Sequence, residues 1–227
     1  MAVVLVAAAP ALAQDRVLGL LQLPEVFGYG PCQAFDPEVI ALYAGPLAPE
    51  AVASIEVDQH WAFAPHGGCE GLKVSVHRGA ARDELPTLEY ANESPAAVVL
   101  ARQDGWFKIR LSGGAGWVKA SVRSRFMPMA DLFSEYPSLT AITNEFSGPL
   151  LEEPGGAPLA KSPPELATPV RVLEVRPRGD EVWLHLAVMS HSICDAERGP
   201  PDVVTLGWSL AYATSGEPTV WFASRGC

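Results

Sequence analysis

The stretch Asp104 to Ser121, DGWFKIRLSGGAGWVKAS, alternates apolar and basic residues between glycine-containing turns. Successive side chains of a strand point to opposite faces, so this period of two fits a half-buried β-strand and not a helix. Phe107, Ile109 and Leu111 fall on one face, expected to be the core, and Trp106, Lys108 and Arg110 on the other. After the next turn, Val118 falls on the core side and Trp117 opposite it with Lys119. The alternation returns in GDEVWLHLAV, Gly179 to Val188. There Val182, Leu184, Leu186 and Val188 share the core face, and Trp183 lies with His185 and Ala187. The chain carries 20 Gly and 21 Pro, which punctuate it too often for long helices. An all-β fold is expected.

A faint internal repeat organises these strands. A short apolar strand followed by a Pro-containing turn occurs as VIALYAGPLAP from Val39, LPTLEYANESP from Leu85 and SGPLLEEPGGAP from Ser147. The last two are followed by the Trp-bearing strands and then by a Gly-Trp pair, Gly116-Trp117 and Gly207-Trp208. The first is followed by EGLKVSV, without Trp. Expected boundaries are an N-terminal β unit over residues 14–80, a second unit over 81–127, a linker over 128–146 and a C-terminal unit over 147–227. Within the linker, Met129 to Glu135 can form a helical turn or two before Pro137 interrupts it. Trp106 and Trp117 are 11 residues apart and Trp183 and Trp208 are 25 apart, so the last unit carries an insertion around HSICDAERGPPDVV.

The residues from Tyr90 to Ser121, YANESPAAVVLARQDGWFKIRLSGGAGWVKAS, resemble a bacterial SH3-like (SH3b) domain. VRVLEVRPRGDEVWLHL and LGWSLAY resemble it more weakly, and the first unit matches only through its opening strand. The resemblance implies tandem small SH3-like β-barrels with a short, partly helical linker. It also implies an accessory module of exported bacterial proteins that binds cell-wall peptides or proteins and is not itself catalytic. In SH3 domains the first aromatic of such a pair lines the peptide groove. Ligand-binding candidates are therefore Trp106, Lys108, Arg110, Trp117 and Trp183. An indole offers a flat apolar surface with one N–H donor, and Arg110 is a fork-shaped donor for carboxylates. From Val98 to Arg125 six basic residues accompany a single acid, Asp104, within a chain of net charge −10. That contrast suggests a groove for an acidic peptide or a peptidoglycan stem carboxylate, or for another acidic part of the same protein.

The start of the chain, MAVVLVAAAPALAQD, reads as a signal peptide over residues 1–13, with Ala11-Leu12-Ala13 as the cleavage pattern and no basic n-region. No other stretch approaches the roughly 20 apolar residues of a membrane span, so no stable membrane insertion is expected after cleavage. A periplasmic or secreted location follows. Four cysteines suit that compartment. Of three connectivities, Cys32–Cys69 with Cys194–Cys227 keeps each bridge local, and the second would tie the inserted loop to the C-terminus. The acidic balance argues against nucleic acid, which needs a basic footprint.

Catalytic and metal patterns are weak. His66 and Cys69, with His60 and His77 nearby, show no recognised zinc spacing. Cys69 with His66 or His77 could be cast as a thiol–imidazole pair, but a disulfide accounts for Cys69 better. Glu152-Glu153 lies in a turn, and GYG and GGAG do not open helices after strands. The expectation is a non-enzymatic protein without cofactor or metal, recognising a cell-wall peptide or envelope protein. A regulator or inhibitor of a cell-wall hydrolase, presenting the loop around Cys194, is the alternative.

Overall fold

The fold is that of a computed structural model, which describes residues 16–29, 33, 35–60, 62–63, 69–90, 94–135, 140–160 and 163–222. The expected signal peptide, Cys32 and Cys227 lie outside these residues. In chain order the elements are β1 (Gly19–Gln22), α1 (Pro24–Phe27), β2 (Ile40–Tyr43), β3 (Ala51–Gln59), β4 (Ala62–Phe63), β5 (Cys69–Glu70), β6 (Lys73–Arg78), β7 (Ala81–Glu84) and β8 (Thr87–Tyr90). They continue with β9 (Ser94–Gln103), β10 (Trp106–Leu111), β11 (Gly114–Lys119), β12 (Arg125–Pro128), α2 (Met129–Glu135) and β13 (Thr140–Ile142). The last are β14 (Pro169–Arg178), β15 (Glu181–Met189), β16 (Val203–Leu210) and β17 (Val220–Phe222). The chain is thus mostly β, and every strand pairing among the described residues is antiparallel.

One large sheet runs β12-β1-β9-β10-β11-β2-β3-β6-β7, with β8 also paired to β9. A second runs β16-β15-β14-β13-β17. Strand pairing among the described residues closes neither sheet into a barrel. The sheets also cross the expected segment limits. β1, from the expected N-terminal unit, lies between β9 and β12, and β7 pairs with β6 across position 80. β13, within the expected linker, is an interior strand between β14 and β17. α2 does occupy Met129–Glu135, where Met129, Leu132 and Phe133 are buried. Their i, i+3, i+4 spacing places them on one helical face.

Two apolar clusters hold the molecule. The first lies within the large sheet and joins Leu42, Ile55, Val74 and Val76 to Ile109, Leu111 and Val118. The second joins Leu20, Val98 and Met127 of the large sheet to Phe133 of α2 and to Val172, Leu184 and Leu186 of the second sheet. β9 therefore has a core on each side: Ala97 and Val99 face one, and Ala96, Val98 and Leu100 face the other. This is why its sequence, AAVVL, does not alternate.

Turn chemistry sets the register of the Trp-bearing strands. Asp104 and Gly105 join β9 to β10 with φ of 47° and 79°. Two successive positive φ values are those of a type I′ hairpin, the reason for Asp-Gly here. No helix among the described residues is long and apolar enough to cross a membrane.

Candidate functional site

The face of β10 and β11 turned away from the first core gathers four of the five expected ligand-binding residues. Trp106 pairs with Lys119, Lys108 with Trp117 and Arg110 with Ala115, so these side chains share one side. On the opposite side Ile109, Leu111 and Val118 are buried and Phe107 is half-buried. The face continues onto β2, because Trp117 pairs with Tyr43. The Tyr43 and Trp106 rings meet edge to face, with centroids 5.1 Å apart. The Lys119 ammonium lies 5.9 Å from the centre of the Trp106 ring, within reach of a cation–π contact.

Arg110 extends this face towards the second sheet. Its guanidinium takes the Glu217 carboxylate in a two-pronged grip, Nη1 donating to Oε2 at 3.1 Å and Nη2 to Oε1. Both side chains are partly shielded from solvent, so water and salt screen the pair less than an exposed one. Glu217 sits in a turn closed by Ala213 N–H donating to the Glu217 carbonyl at 2.9 Å and Gly216 N–H donating to the Ala213 carbonyl at 3.0 Å. Ser215 of the same turn donates to Glu145 Oε2 at 2.8 Å.

Beside Tyr43 and Lys119 the face opens into a cavity of about 210 Å³, lined also by Glu25, Glu38, Ser121 and Ser124. Glu25 lies in α1 and is only 4% exposed. Its Oε1 accepts the Ser121 hydroxyl and lies 3.5 Å from Arg123 Nε. Its Oε2 is buried and has no hydrogen-bond partner among the described residues. Arg123 also donates to Glu38. The turn is fixed by Ser121 Oγ, which accepts from the N–H of Arg123 at 2.9 Å and of Ser124 at 3.2 Å.

Trp183 is not part of this face. It lies on the second sheet, off the core side as its alternation implies, but is covered to 5% exposure, with Nε1 donating to Glu181 Oε2 at 3.1 Å. Its neighbour Trp208 is buried as well: His185 stacks on it at 4.8 Å and the Arg176 guanidinium lies 4.4 Å from its ring centre. Trp183 and Trp208 of the C-terminal unit are thus covered within the chain, while Trp106 and Trp117 are only partly buried. Cys194 is disulfide-bonded. The expected pairings with Cys227, and of Cys32 with Cys69, involve side chains outside those described.

Tyr43, Glu25, Glu38, Ser121, Ser124 and Glu217 are not among the residues expected from sequence. Tyr43 had a signal, as the aromatic end of the first repeated strand. The others had none, since their roles depend on contacts between distant segments. Comparison with known proteins finds no matching family model, no matching curated protein and no matching solved structure.

Proposed function

We propose that this chain is a non-enzymatic binding or scaffolding protein of the bacterial cell envelope, exported to the periplasm or beyond. In this reading the large and small sheets carry tandem SH3-like units of the SH3b kind. The face bearing Trp106, Lys108, Arg110 and Trp117 recognises a peptide, either a peptidoglycan stem or a segment of an envelope protein.

The observation that carries the reading is the Arg110–Glu217 pair. In an acidic protein, a locally basic and aromatic face holds a carboxylate, delivered by a turn of the same chain. A ligand with a carboxylate and a planar amide backbone has the same chemistry: the fork grips the acid, and the indoles pack against peptide planes. Trp106 and Trp117 are less buried than Trp183 and Trp208, which supports the middle unit as the binding one.

Co-sedimentation with purified sacculi tests it. The wild-type protein is expected to pellet at low salt, and Trp106→Ala to remain largely in solution. Equal sedimentation of the two would remove Trp106 from the site. Failure of the wild type to sediment would remove the peptidoglycan form of the reading.

A further inference from the structure

A second cavity, of about 270 Å³, lies where the second sheet meets the segment leading into β1. Val182 of β15, Leu210 of β16 and the ring of Tyr212 give it an apolar wall. Polar groups from four segments share the lining. Arg16 precedes β1, Asp180 lies in the turn between β14 and β15, Glu181 begins β15, and Thr214 belongs to the turn that carries Glu217.

These groups keep hydrogen-bonding capacity for a ligand. Arg16 is fixed at the cavity: Nη1 donates to the Asp180 carbonyl at 2.7 Å, and the guanidinium lies 5.1 Å from the centre of the Tyr212 ring. It has no carboxylate partner among the described residues, so its other donors remain unused. The Tyr212 hydroxyl has no partner among the described residues either, and it is not sealed off: the only unpartnered side-chain atoms shut away from solvent there are on Glu25 and Arg171. Burial pushes the Tyr212 phenol up to about 12, against the opposing pull of Arg16, so it keeps its proton and can donate. Glu181 uses Oε2 on the Trp183 indole. The Asp180 carboxylate and the Thr214 hydroxyl have no partner among the described residues.

We propose that this cavity binds one pyranose ring of a neutral glycan. The C–H face of the ring packs on Val182, Leu210 and Tyr212. Its hydroxyls accept from Arg16 and Tyr212 and donate to Asp180 and Glu181, with Thr214 able to do either. Charge selects this class. An anion would meet Asp180 and Glu181, and a cation would meet Arg16. A neutral occupant must therefore donate and accept at neighbouring positions. Adjacent ring hydroxyls each do both, whereas a peptide offers one N–H and one C=O per residue, spaced along the chain. Size agrees: about 270 Å³ falls just under the roughly 300–1,000 Å³ of pockets for drug-sized ligands, the scale of a single ring. The cavity shares no residue with the face of β10 and β11, so it does not depend on the peptide reading.

The test is an NMR titration of the full ¹⁵N-labelled chain with three probes built on one ring: methyl β-glucopyranoside, the corresponding glucuronide, which is an anion, and the corresponding 2-amino glycoside at a pH where it is a cation. The neutral probe is expected to shift the amides of Asp180, Glu181, Tyr212, Thr214 and Gly216. Each charged probe is expected to bind at least about fivefold more weakly. Tyr212→Phe, which removes only the hydroxyl, is expected to weaken the neutral probe about 2–10-fold. Should Tyr212→Phe not fold, Asp180→Asn, in an exposed turn, takes its place with the same expectation. No shifts at these amides, equal binding of the three probes, or undiminished binding by the folded variant would overturn the proposal. Sacculus binding that is lost in Trp106→Ala, with no probe shifts, would remove the sugar site and leave the peptide reading standing. Probe shifts without sacculus binding would do the reverse.

Discussion

Gly116 and Gly207 stand before the tryptophans of their strands for reasons of space. A Cβ on Gly116 would lie 2.9 Å from Leu42 Cδ2 and 3.2 Å from Leu111 Cδ1. One on Gly207 would lie 2.8 Å from both Leu150 Cβ and Leu159 Cδ1. Each glycine lets a neighbouring segment close onto the core side while the following Trp faces away. Replacing either with Ala is expected to cost about 1–3 kcal/mol in urea unfolding, the scale of overpacking a tight core. Gly45→Ala, where nothing lies within 4 Å, is expected to change stability by less than about 0.5 kcal/mol. Equal effects at all three sites would show that close packing is not what selects these glycines. The Gly-Trp pairs are visible in the sequence, but, Leu111 of the same hairpin apart, the leucines that exclude a Cβ come from segments far away along the chain.

Among elements, alternation was readable where a strand has one core and misleading where it has two. The faces of β10 follow from its period: Ile109 is buried, and Trp106 shares the other side with Arg110. β9 and β1 do not alternate, since Val98 and Val99, like Leu20 and Leu21, pack into different clusters. For the same reason sequence could say that Trp183 leaves the core side but not that it is covered there. A further polar group spans β3 and β6. Ser75 donates to Asp58 Oδ2, and His77 Nε2 lies 3.0 Å from Asp58 Oδ1. The Ser75 hydrogen bond, aided by His77 and Arg82, holds the Asp58 carboxyl below its usual range despite opposing burial. A depressed folded-state pKa stabilises the fold above the unfolded value, and that stability is lost as pH falls through the folded value. Unfolding midpoints are therefore expected to drop on acidification below about pH 3.9, the ordinary aspartate pKa. In Asp58→Asn the drop should be shallower; an unchanged acid slope would show that Asp58 contributes nothing to it.

At the scale of the whole molecule the two sheets are bound together at several points. Phe133 of α2 packs on Trp221 and Phe222 of the second sheet. Trp221 Nε1 donates to the Glu89 carbonyl of β8 at 3.0 Å, and Val17 N–H donates to the Gly216 carbonyl at 3.2 Å. Arg110 and Glu217 join the same two parts, and here structure and proposed function meet. If the face of β10 and β11 takes a ligand carboxylate, Glu217 is its competitor within the chain. An internal competitor lowers apparent affinity to the fraction of time it leaves the site free, so removing it raises affinity by the reciprocal of that fraction. The deciding measurement is the affinity for purified sacculi of Glu217→Gln against the wild type, with folding checked by the unfolding midpoint. Binding tighter by about 2–10-fold is expected for Glu217→Gln. Unchanged or weaker binding by a folded Glu217→Gln protein, or no binding by either, would contradict the assignment of this face as the ligand site.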